Sequence, residues 1–339
     1  MHLGVDLIKH KDRFYINELN LDAGMRPERR RLYDAEIDPV FTGICHVARA
    51  RRFRRVVLCA GRWSEPEREE AELCGQQHGL QVIMASTRPW QDFDSLPMPG
   101  LPTPLEDNTL YVIFSQRHAP TDYLVHDKLG TATWLPVLSA KQIDDGQLVT
   151  GILTSEKPNV PLAEVAGPWP NLVIKLAGAG RGLFMMFAKV RDENEARATL
   201  GLVRDGQIPK AMAMSTREKL MNYLQHRGPI LYQPYIRPDM TDDGNIQTYR
   251  LHMLISPFEN RFLSVHGNIS SISVPKRLPF GIVTDPRPYM TKLSLGARFV
   301  TVDEHTVAQF KRIATQLGES LQQTLTQKFR TEPPRNGAK

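Results

Sequence analysis

Two short apolar runs on either side of a capped helix constrain this fold more than any other feature. The first run, RRVVLCAG, ends in a glycine turn, and the second, LQVIMA, covers residues 80–85. Between them Ser64 precedes Pro66 and an acidic first turn, and Gly79 follows the last turn; these residues mark the start and the end of a helix. The order strand, helix, strand predicts a right-handed βαβ unit with parallel strands.

Other patterns predict further helices and strands. Asp38 as an N-cap and Pro39 at the first helical position begin a helix that extends to about residue 52. Residues 171–190 predict a strand, a glycine-rich loop and a second strand, and residues 303–329 predict a long amphipathic helix. The apolar residues that share one face of this helix are Val307, Phe310, Ile313, Ala314, Leu317 and Leu321. Together the patterns predict an α+β fold.

Composition limits the class of protein. The 339 residues suggest two or three domains, and no apolar run approaches the roughly 18–20 residues that cross a bilayer. The N-terminus lacks a signal-peptide pattern, so we expect a cytoplasmic protein. Cys45, Cys59 and Cys74 are too few and too irregularly spaced to predict a disulfide framework or a zinc site. The histidines His46 and His78 are isolated in the sequence, which predicts a surface or core role for each.

The net charge of +6 arises largely in two arginine clusters, at residues 26–31 and 48–55. Three interpretations stay open for these clusters: a solvated helical face, a site for an anionic small molecule, or contact with nucleic acid. No nucleic-acid motif accompanies them, so nucleic acid is the least favoured of the three.

The strongest local signal for chemistry is the loop within VIKLAGAGRGLFMMFAKV. Lys175 ends a strand, and Gly178, Gly180 and Gly182 follow at every second position before the next strand begins. Exposed backbone amides in such a loop can fold over a polyphosphate, and the lysine supplies positive charge. The spacing is neither a Walker A motif nor a dinucleotide fingerprint. A purely structural hairpin turn stays open as the alternative.

A second set of polar residues lies in the N-terminal segment, where GVDLI and FYINELN flank a polar turn and predict a β-hairpin. Alternation places Glu18 and Asn20 on one face of the second strand, and Asp6 lies on the strand paired with it. Three oxygen ligands from neighbouring strands suit Mg²⁺. Polar residues on a solvated face are the alternative interpretation.

Together these motifs resemble the ATP-grasp superfamily of carboxylate–amine ligases. The glycine-rich strand pair is similar to its nucleotide lid, and LYQPYI resembles its adenine hinge. HDKL resembles the segment with the first nucleotide lysine of D-alanine–D-alanine ligase, here Lys128. NIQTYRLHMLI resembles the lid strand that carries an arginine, here Arg250, and the N-terminal hairpin resembles the metal-binding strands.

The order of the motifs departs from the family. In ordinary members the metal-binding strands come last, after a long amphipathic helix, whereas here they open the chain. The resemblance therefore implies an ATP-grasp fold of two α+β lids with a Rossmann-like domain, in circularly permuted order. An N-terminal hairpin that completes a neighbouring chain, as in a swapped homodimer, is the alternative. The implied divisions are metal-binding strands at 1–36, the Rossmann-like domain at 37–125, nucleotide-binding lids at 126–330 and a tail at 331–339.

The resemblance also implies the cofactors ATP and Mg²⁺ and a role for each matching residue. Asp6, Glu18 and Asn20 would hold Mg²⁺, and Arg250 would stabilise an acylphosphate. The residues implied in binding the nucleotide are Lys128, Lys175, Gly178, Gly180, Gly182, Gln233, Tyr235 and Ile236. Pro234 replaces an acidic residue that many relatives carry, so the ribose contact falls to one of three aspartates, Asp239, Asp242 or Asp243. The arginines of residues 26–31 border the implied acceptor site, where they bind a carboxylate or form a solvated turn.

The implied reaction is ATP-dependent ligation of a small-molecule carboxylate to an amine. Two alternatives stay open: a phosphotransferase on the same fold, and a non-catalytic basic binding module that retains the fold.

Overall fold

The computed structural model describes most of the chain. The described residues are 2–11, 13–20, 26–60, 63–86, 107–114, 142–143, 153–154, 167–176, 185–207, 221–222, 230–256, 259–291 and 296–331. The helices with described bounds are α1 (Arg26–Leu32), α2 (Pro39–Ala50), α3 (Glu65–His78), α4 (Glu193–Arg204) and α5 (Glu304–Thr331). None of the helices in these ranges is both long and apolar enough to span a bilayer.

A six-stranded antiparallel sheet brings the N-terminal hairpin beside strands from the second half of the chain. Its strands, in sheet order, are β14 (Arg298–Val300), β12 (Asn260–Ile269), β11 (Gln247–Ile255), β1 (His2–His10), β2 (Arg13–Asn20) and β7 (Leu153–Thr154). The predicted hairpin is confirmed, because β1 pairs with β2. The other edge of β1 pairs with β11 of the same chain. The sequence predicted an irregular connection where β7 forms, so that prediction was wrong.

Helix α5 covers one face of this sheet. Alternation along β1 directs Leu3, Val5 and Leu7 toward the helix, and all three are fully buried. Phe310 of α5 meets them in the same cluster, with its ring 4.7 Å from that of Phe14. Each large apolar side chain buried here stabilises the fold by about 1.5–3 kcal/mol. The predicted apolar face of the helix is therefore confirmed, and a row of polar residues lies on the opposite face of the sheet.

The predicted βαβ unit is present as a three-stranded parallel sheet. Its strands, in sheet order, are β4 (Gln81–Ser86), β3 (Arg55–Ala60) and β5 (Thr109–Ile113). Helix α3 begins with the capping box of Ser64 and Glu67, and it ends at Gly79, which takes a φ of 66°. Helices α2 and α3 belong to the hydrophobic cluster of this sheet, and Leu254 of β11 belongs to the same cluster. The parallel unit therefore packs directly on the six-stranded sheet.

A five-stranded antiparallel sheet carries the other half of the predicted site. Its strands, in sheet order, are β13 (Gly281–Ile282), β9 (Met186–Lys189), β8 (Leu172–Leu176), β10 (Ile230–Pro234) and β6 (Gln142–Ile143). The antiparallel pair β8 and β9 confirms the two strands predicted on either side of the glycine loop. Apolar residues of α4, such as Leu200 and Val203, pack on one face of this sheet.

Candidate functional site

A row of polar residues crosses the face of the six-stranded sheet that lies opposite α5. Asp6 of β1 stands directly across from Glu18 on one side and from Arg250 on the other. Arg250 binds the Asp6 carboxylate with two parallel hydrogen bonds, from Nε to Oδ1 at 2.6 Å and from Nη2 to Oδ2 at 2.8 Å. Asn20 donates to the same carboxylate, at 3.3 Å. The register therefore brings the three predicted metal ligands and Arg250 onto neighbouring strands.

A β-bulge in β2 shapes this part of the site. The register passes from Asp6 opposite Glu18 to Leu7 opposite Ile16, so Asn17 is the extra residue. In a regular strand Ile16 and Leu19, three positions apart, would point to opposite faces. The bulge places both in the core, with exposed fractions of 2% and 0%. This break in the apolar alternation is the signal in the sequence that could have revealed Asn17.

Asn17 joins the six-stranded sheet to the five-stranded sheet. Its side-chain oxygen accepts hydrogen bonds from Lys175 Nζ at 3.1 Å and from Gln233 Nε2 at 3.0 Å. Lys175 on β8 and Gln233 on β10 lie on the same face, because Gln233 pairs with Val173, two positions before the lysine. Sequence reasoning missed Asn17, although it predicted both of the residues that Asn17 contacts.

Beside this row lies a buried network of histidines and one arginine. Arg29 of α1 is 1% exposed and binds Asp38, the N-cap of α2, through two hydrogen bonds. It also contacts Nε2 of His252 at 3.3 Å. Arg29 fits none of the interpretations made for the arginines of residues 26–31, because a buried ion pair already engages its guanidinium. The interpretation as a solvated face or a carboxylate site was therefore wrong for this arginine.

Burial keeps two histidines of the network neutral. Desolvation, followed by the charge of Arg29, holds the pKa of His252 well below its usual range. Desolvation, followed by the charge of Arg250, lowers the pKa of His266 in the same way. Arg29 donates to Nε2 of His252, so the proton of the neutral ring is on Nδ1, which lies 3.2 Å from Nε2 of His2.

The predicted adenine hinge lies at the end of β10. Tyr235 stacks on Trp169 with ring centroids 6.1 Å apart, and its backbone N–H donates to the Asn171 carbonyl at 3.0 Å. Desolvation raises the pKa of the Tyr235 phenol well above its usual range. Ile236 is also buried. The structure thus places Tyr235 in a buried aromatic cluster with Trp169, Phe187 and Tyr289.

The remaining predicted residues are distributed as follows. Asp239 accepts from the backbone N–H of Lys11 at 2.9 Å, so it secures the turn between β1 and β2. Lys128 and the loop glycines Gly178, Gly180 and Gly182 lie outside the described residues.

Comparison with known proteins adds little. No protein-family model matches the sequence. No curated protein matches it significantly. Among solved structures, the chain is similar to a crystal structure of a candidate gamma-glutamylcysteine synthetase from Methylobacillus flagellatus, with 11% identity and a TM-score of 0.46. The match covers 96% of this chain and 89% of that one. At this identity and TM-score the likeness establishes neither a shared family nor a shared activity.

Proposed function

We propose that this chain is an Mg²⁺-dependent ligase that uses ATP to join a carboxylate to an amine. The observation that carries the proposal is the pair of hydrogen bonds from Lys175 and Gln233 to the side-chain oxygen of Asn17. Asn17 immediately precedes Glu18, a predicted metal ligand, and the two donors are predicted nucleotide contacts. The contacts therefore support one site in which metal ligands and phosphate-binding groups face each other.

The donor set beside Asn17 suits Mg²⁺. Asp6, Glu18 and Asn20 together offer carboxylate and amide oxygens, which are the ligands that this hard cation prefers. Asp6 is 26% exposed, so an ion can reach it from solvent. Arg250 fixes the orientation of the carboxylate through two hydrogen bonds. Mg²⁺ bound at these ligands would supply positive charge next to the triphosphate.

Each remaining residue has a proposed task in this scheme. Lys175 neutralises phosphate charge, and Gln233 orients the nucleotide from the neighbouring strand. Tyr235 and Ile236 support the adenine hinge. Arg250 stands beside the predicted metal ligands, where its charge stabilises an acylphosphate. Lys128 and the glycines of residues 178–182 complete the nucleotide site.

The proposed reaction has two steps. A substrate carboxylate oxygen attacks the γ-phosphorus of ATP, and ADP leaves. The amine nitrogen then attacks the carbonyl carbon of the acylphosphate, and inorganic phosphate leaves as the amide bond forms. Charged residues at the site stabilise both transition states and add little covalent chemistry of their own.

The proposal is tested by ADP release from the purified chain with ATP, Mg²⁺ and a panel of amino acids as carboxylates and amines. We expect release to require both substrates, and hydroxylamine to trap the activated carboxylate as a hydroxamate. Lys175→Met should lower the rate at least about 100-fold. Lys189→Met is the matched control, since Lys189 is also a buried lysine but donates to the backbone carbonyls of Gly167 and Leu278.

Three results would overturn the ligase assignment. The first is the absence of ATP binding by the folded chain. The second is a phosphorylated product formed without any amide, which would identify a phosphotransferase. The third is steeply salt-dependent RNA binding that Lys175→Met leaves unchanged, which would identify a binding module.

A further inference from the structure

A separate group of side chains with ligand chemistry lies between helices α2 and α3. Cys45 belongs to α2, and Cys74 and His78 lie one helical turn apart on α3. The two sulfurs are 3.3 Å apart, and Cys74 Sγ lies 4.0 Å from His78 Nδ1. In the described part of the chain, this is the one group of three Cys, His, Asp or Glu side chains whose ligand atoms all lie within 4.8 Å of one another.

These distances are close to those of a tetrahedral metal centre. A zinc ion lies about 2.3 Å from a thiolate and about 2.0 Å from an imidazole nitrogen, which places two sulfurs about 3.8 Å apart and a sulfur about 3.5 Å from the nitrogen. The observed separations of 3.3 and 4.0 Å differ from these by about 0.5 Å. Small rotations of the side chains are therefore sufficient to admit an ion.

We infer that Cys45, Cys74 and His78 bind a transition-metal ion, and that the ion is Zn²⁺. Two thiolates and an imidazole are soft to borderline ligands, which select Zn²⁺ over the hard Mg²⁺. None of these three residues belongs to the proposed ligase site. A test of zinc binding is therefore independent of the proposed ligase function.

The surroundings supply an entry path and a fourth position. The two cysteines are buried, whereas His78 is half-buried and His46 is exposed. The rings of His46 and His78 lie 4.8 Å apart, so the prediction that these histidines are isolated was wrong. An ion enters from this side, and the fourth ligand is either His46 or a water molecule held beside it.

The metal-free state is held by hydrogen bonds that the ion replaces. The thiols share a hydrogen bond, and Nδ1 of His78 donates to the Cys74 carbonyl at 2.9 Å. Metal binding displaces the thiol protons and transfers the imidazole proton to Nε2, which water can reach because the ring is half-buried. Zinc thereby links α2 to α3 through two cysteines that are 29 positions apart in sequence.

Metal titration of the full-length chain tests the inference. The protein is stripped with a chelator and titrated with Co²⁺, then with Zn²⁺. We expect one Co²⁺ per chain with a thiolate charge-transfer band and the visible bands of tetrahedral cobalt, and displacement of the cobalt by one Zn²⁺. Cys74→Ser and His78→Gln should each weaken binding at least about 100-fold.

Two variants act as controls. Cys59→Ser removes the third buried cysteine, which lies on β3, and should keep the full stoichiometry. Asp6→Asn changes the proposed magnesium site and should also keep it. If Cys74→Ser fails to fold by circular dichroism, the half-buried His78→Gln decides the matter alone.

The inference is overturned if the folded wild-type chain binds no cobalt through thiolate. It is also overturned if His78→Gln binds cobalt as tightly as the wild type. A Cys45–Cys74 disulfide that persists in protein purified and stripped under reductant would likewise overturn it, because an oxidised pair offers no thiolate.

Discussion

The side-chain oxygen of Asn17 lies 3.1 Å from Nζ of Lys175, although 158 positions separate the two residues in sequence. Lys175 is only 2% exposed, so its ammonium reaches the other sheet away from bulk water. The β-bulge at Asn17 sets the position of the oxygen, because it shifts the strand between Glu18 and Ile16. Four tests follow from this contact and its neighbours.

Replacing Asn17 tests whether the contact organises the site. Asn17→Ala removes one oxygen that accepts from two nearly buried donors, on Lys175 and Gln233. We expect the free energy of unfolding to fall by about 1–3 kcal/mol, because burying a donor after losing an acceptor costs that much. ADP release should fall at least about 10-fold, since Lys175 loses its orientation. Urea unfolding and the coupled ADP assay measure the two effects.

Asn171→Ala is the matched control for this variant. The Asn171 amide also makes two buried hydrogen bonds, both to the backbone of Val190, and these two residues flank the paired strands β8 and β9. It should lower stability by a similar amount and leave ADP release per folded molecule unchanged. Equal losses of activity in the two variants would contradict a specific role for Asn17.

A double-mutant cycle tests the pair of Asp6 and Arg250. Each side chain is about a quarter exposed, at 26% and 23%, and the pair is bidentate. We expect Asp6→Asn and Arg250→Met to show a coupling free energy of about 1 kcal/mol, above that of most exposed pairs. Asp6→Asn should also raise the Mg²⁺ concentration that half-saturates ADP release. An unchanged magnesium dependence would argue against Asp6 as a metal ligand.

Lowering the pH should destabilise the folded chain, because two of its histidines are buried in the neutral form. The pKa values of His252 and His266 lie well below 6.5 in the folded chain, and both return to about that value on unfolding. Above pH 6.5 neither state binds these protons, so stability is independent of them. As the pH falls below about 6.5 the unfolded state binds protons first, and the free energy of unfolding falls by up to about 1.4 kcal/mol per pH unit for each histidine.

Urea unfolding at several pH values between about 7.5 and 5 measures this slope. His266→Gln should flatten the slope relative to the wild type, because it removes one of the two titrating groups. Carboxylates contribute equally to both proteins and cancel in the difference. Parallel slopes would show that the pKa of His266 is the same in the folded and the unfolded chain, which would contradict the lowered pKa.

Breaking the ion pair of Arg29 and Asp38 should be costly. Their side chains are 1% and 0% exposed, and Asp38 also caps α2 by accepting from the Val40 N–H. Asp38→Ala should lower the free energy of unfolding by about 3–5 kcal/mol, since it removes the carboxylate that neutralises the buried guanidinium of Arg29. The exposed pair of Arg197 and Glu193 is the comparison, and Glu193→Ala should cost no more than about 0.5 kcal/mol. Similar losses at the two sites would contradict this role of burial.

Local patterns predicted the regular elements well because each depends on neighbouring residues. Ser64, Glu67 and Gly79 bounded α3 as their capping chemistry requires. Strand β7 was missed because two residues of an edge strand carry no periodic pattern. Its pairing with Tyr15 and Ile16 of β2 is a tertiary event.

The candidate site was predicted in part. Alternation and hairpin pairing are local rules, so they predicted that Asp6, Glu18 and Asn20 lie on adjacent strands, and the register confirms this placement. Their role as metal ligands stays a prediction. Asn17 was missed because the prediction assumed a regular strand. The burial of Arg29 could not be read from an arginine-rich segment, since its partners Asp38 and His252 come from α2 and β11.

Local patterns in the sequence are enough to predict the longer strands and helices, and they show which residue types are available for binding. Capping, turns and apolar periodicity depend on residues that are close in sequence, so they can be recognised from the sequence alone. The contacts of Asn17 with Lys175 and of Cys45 with Cys74 follow from tertiary packing alone. Those contacts depend on how sheets and helices pack once their apolar faces are buried, and the packing brings together residues that no local pattern connects.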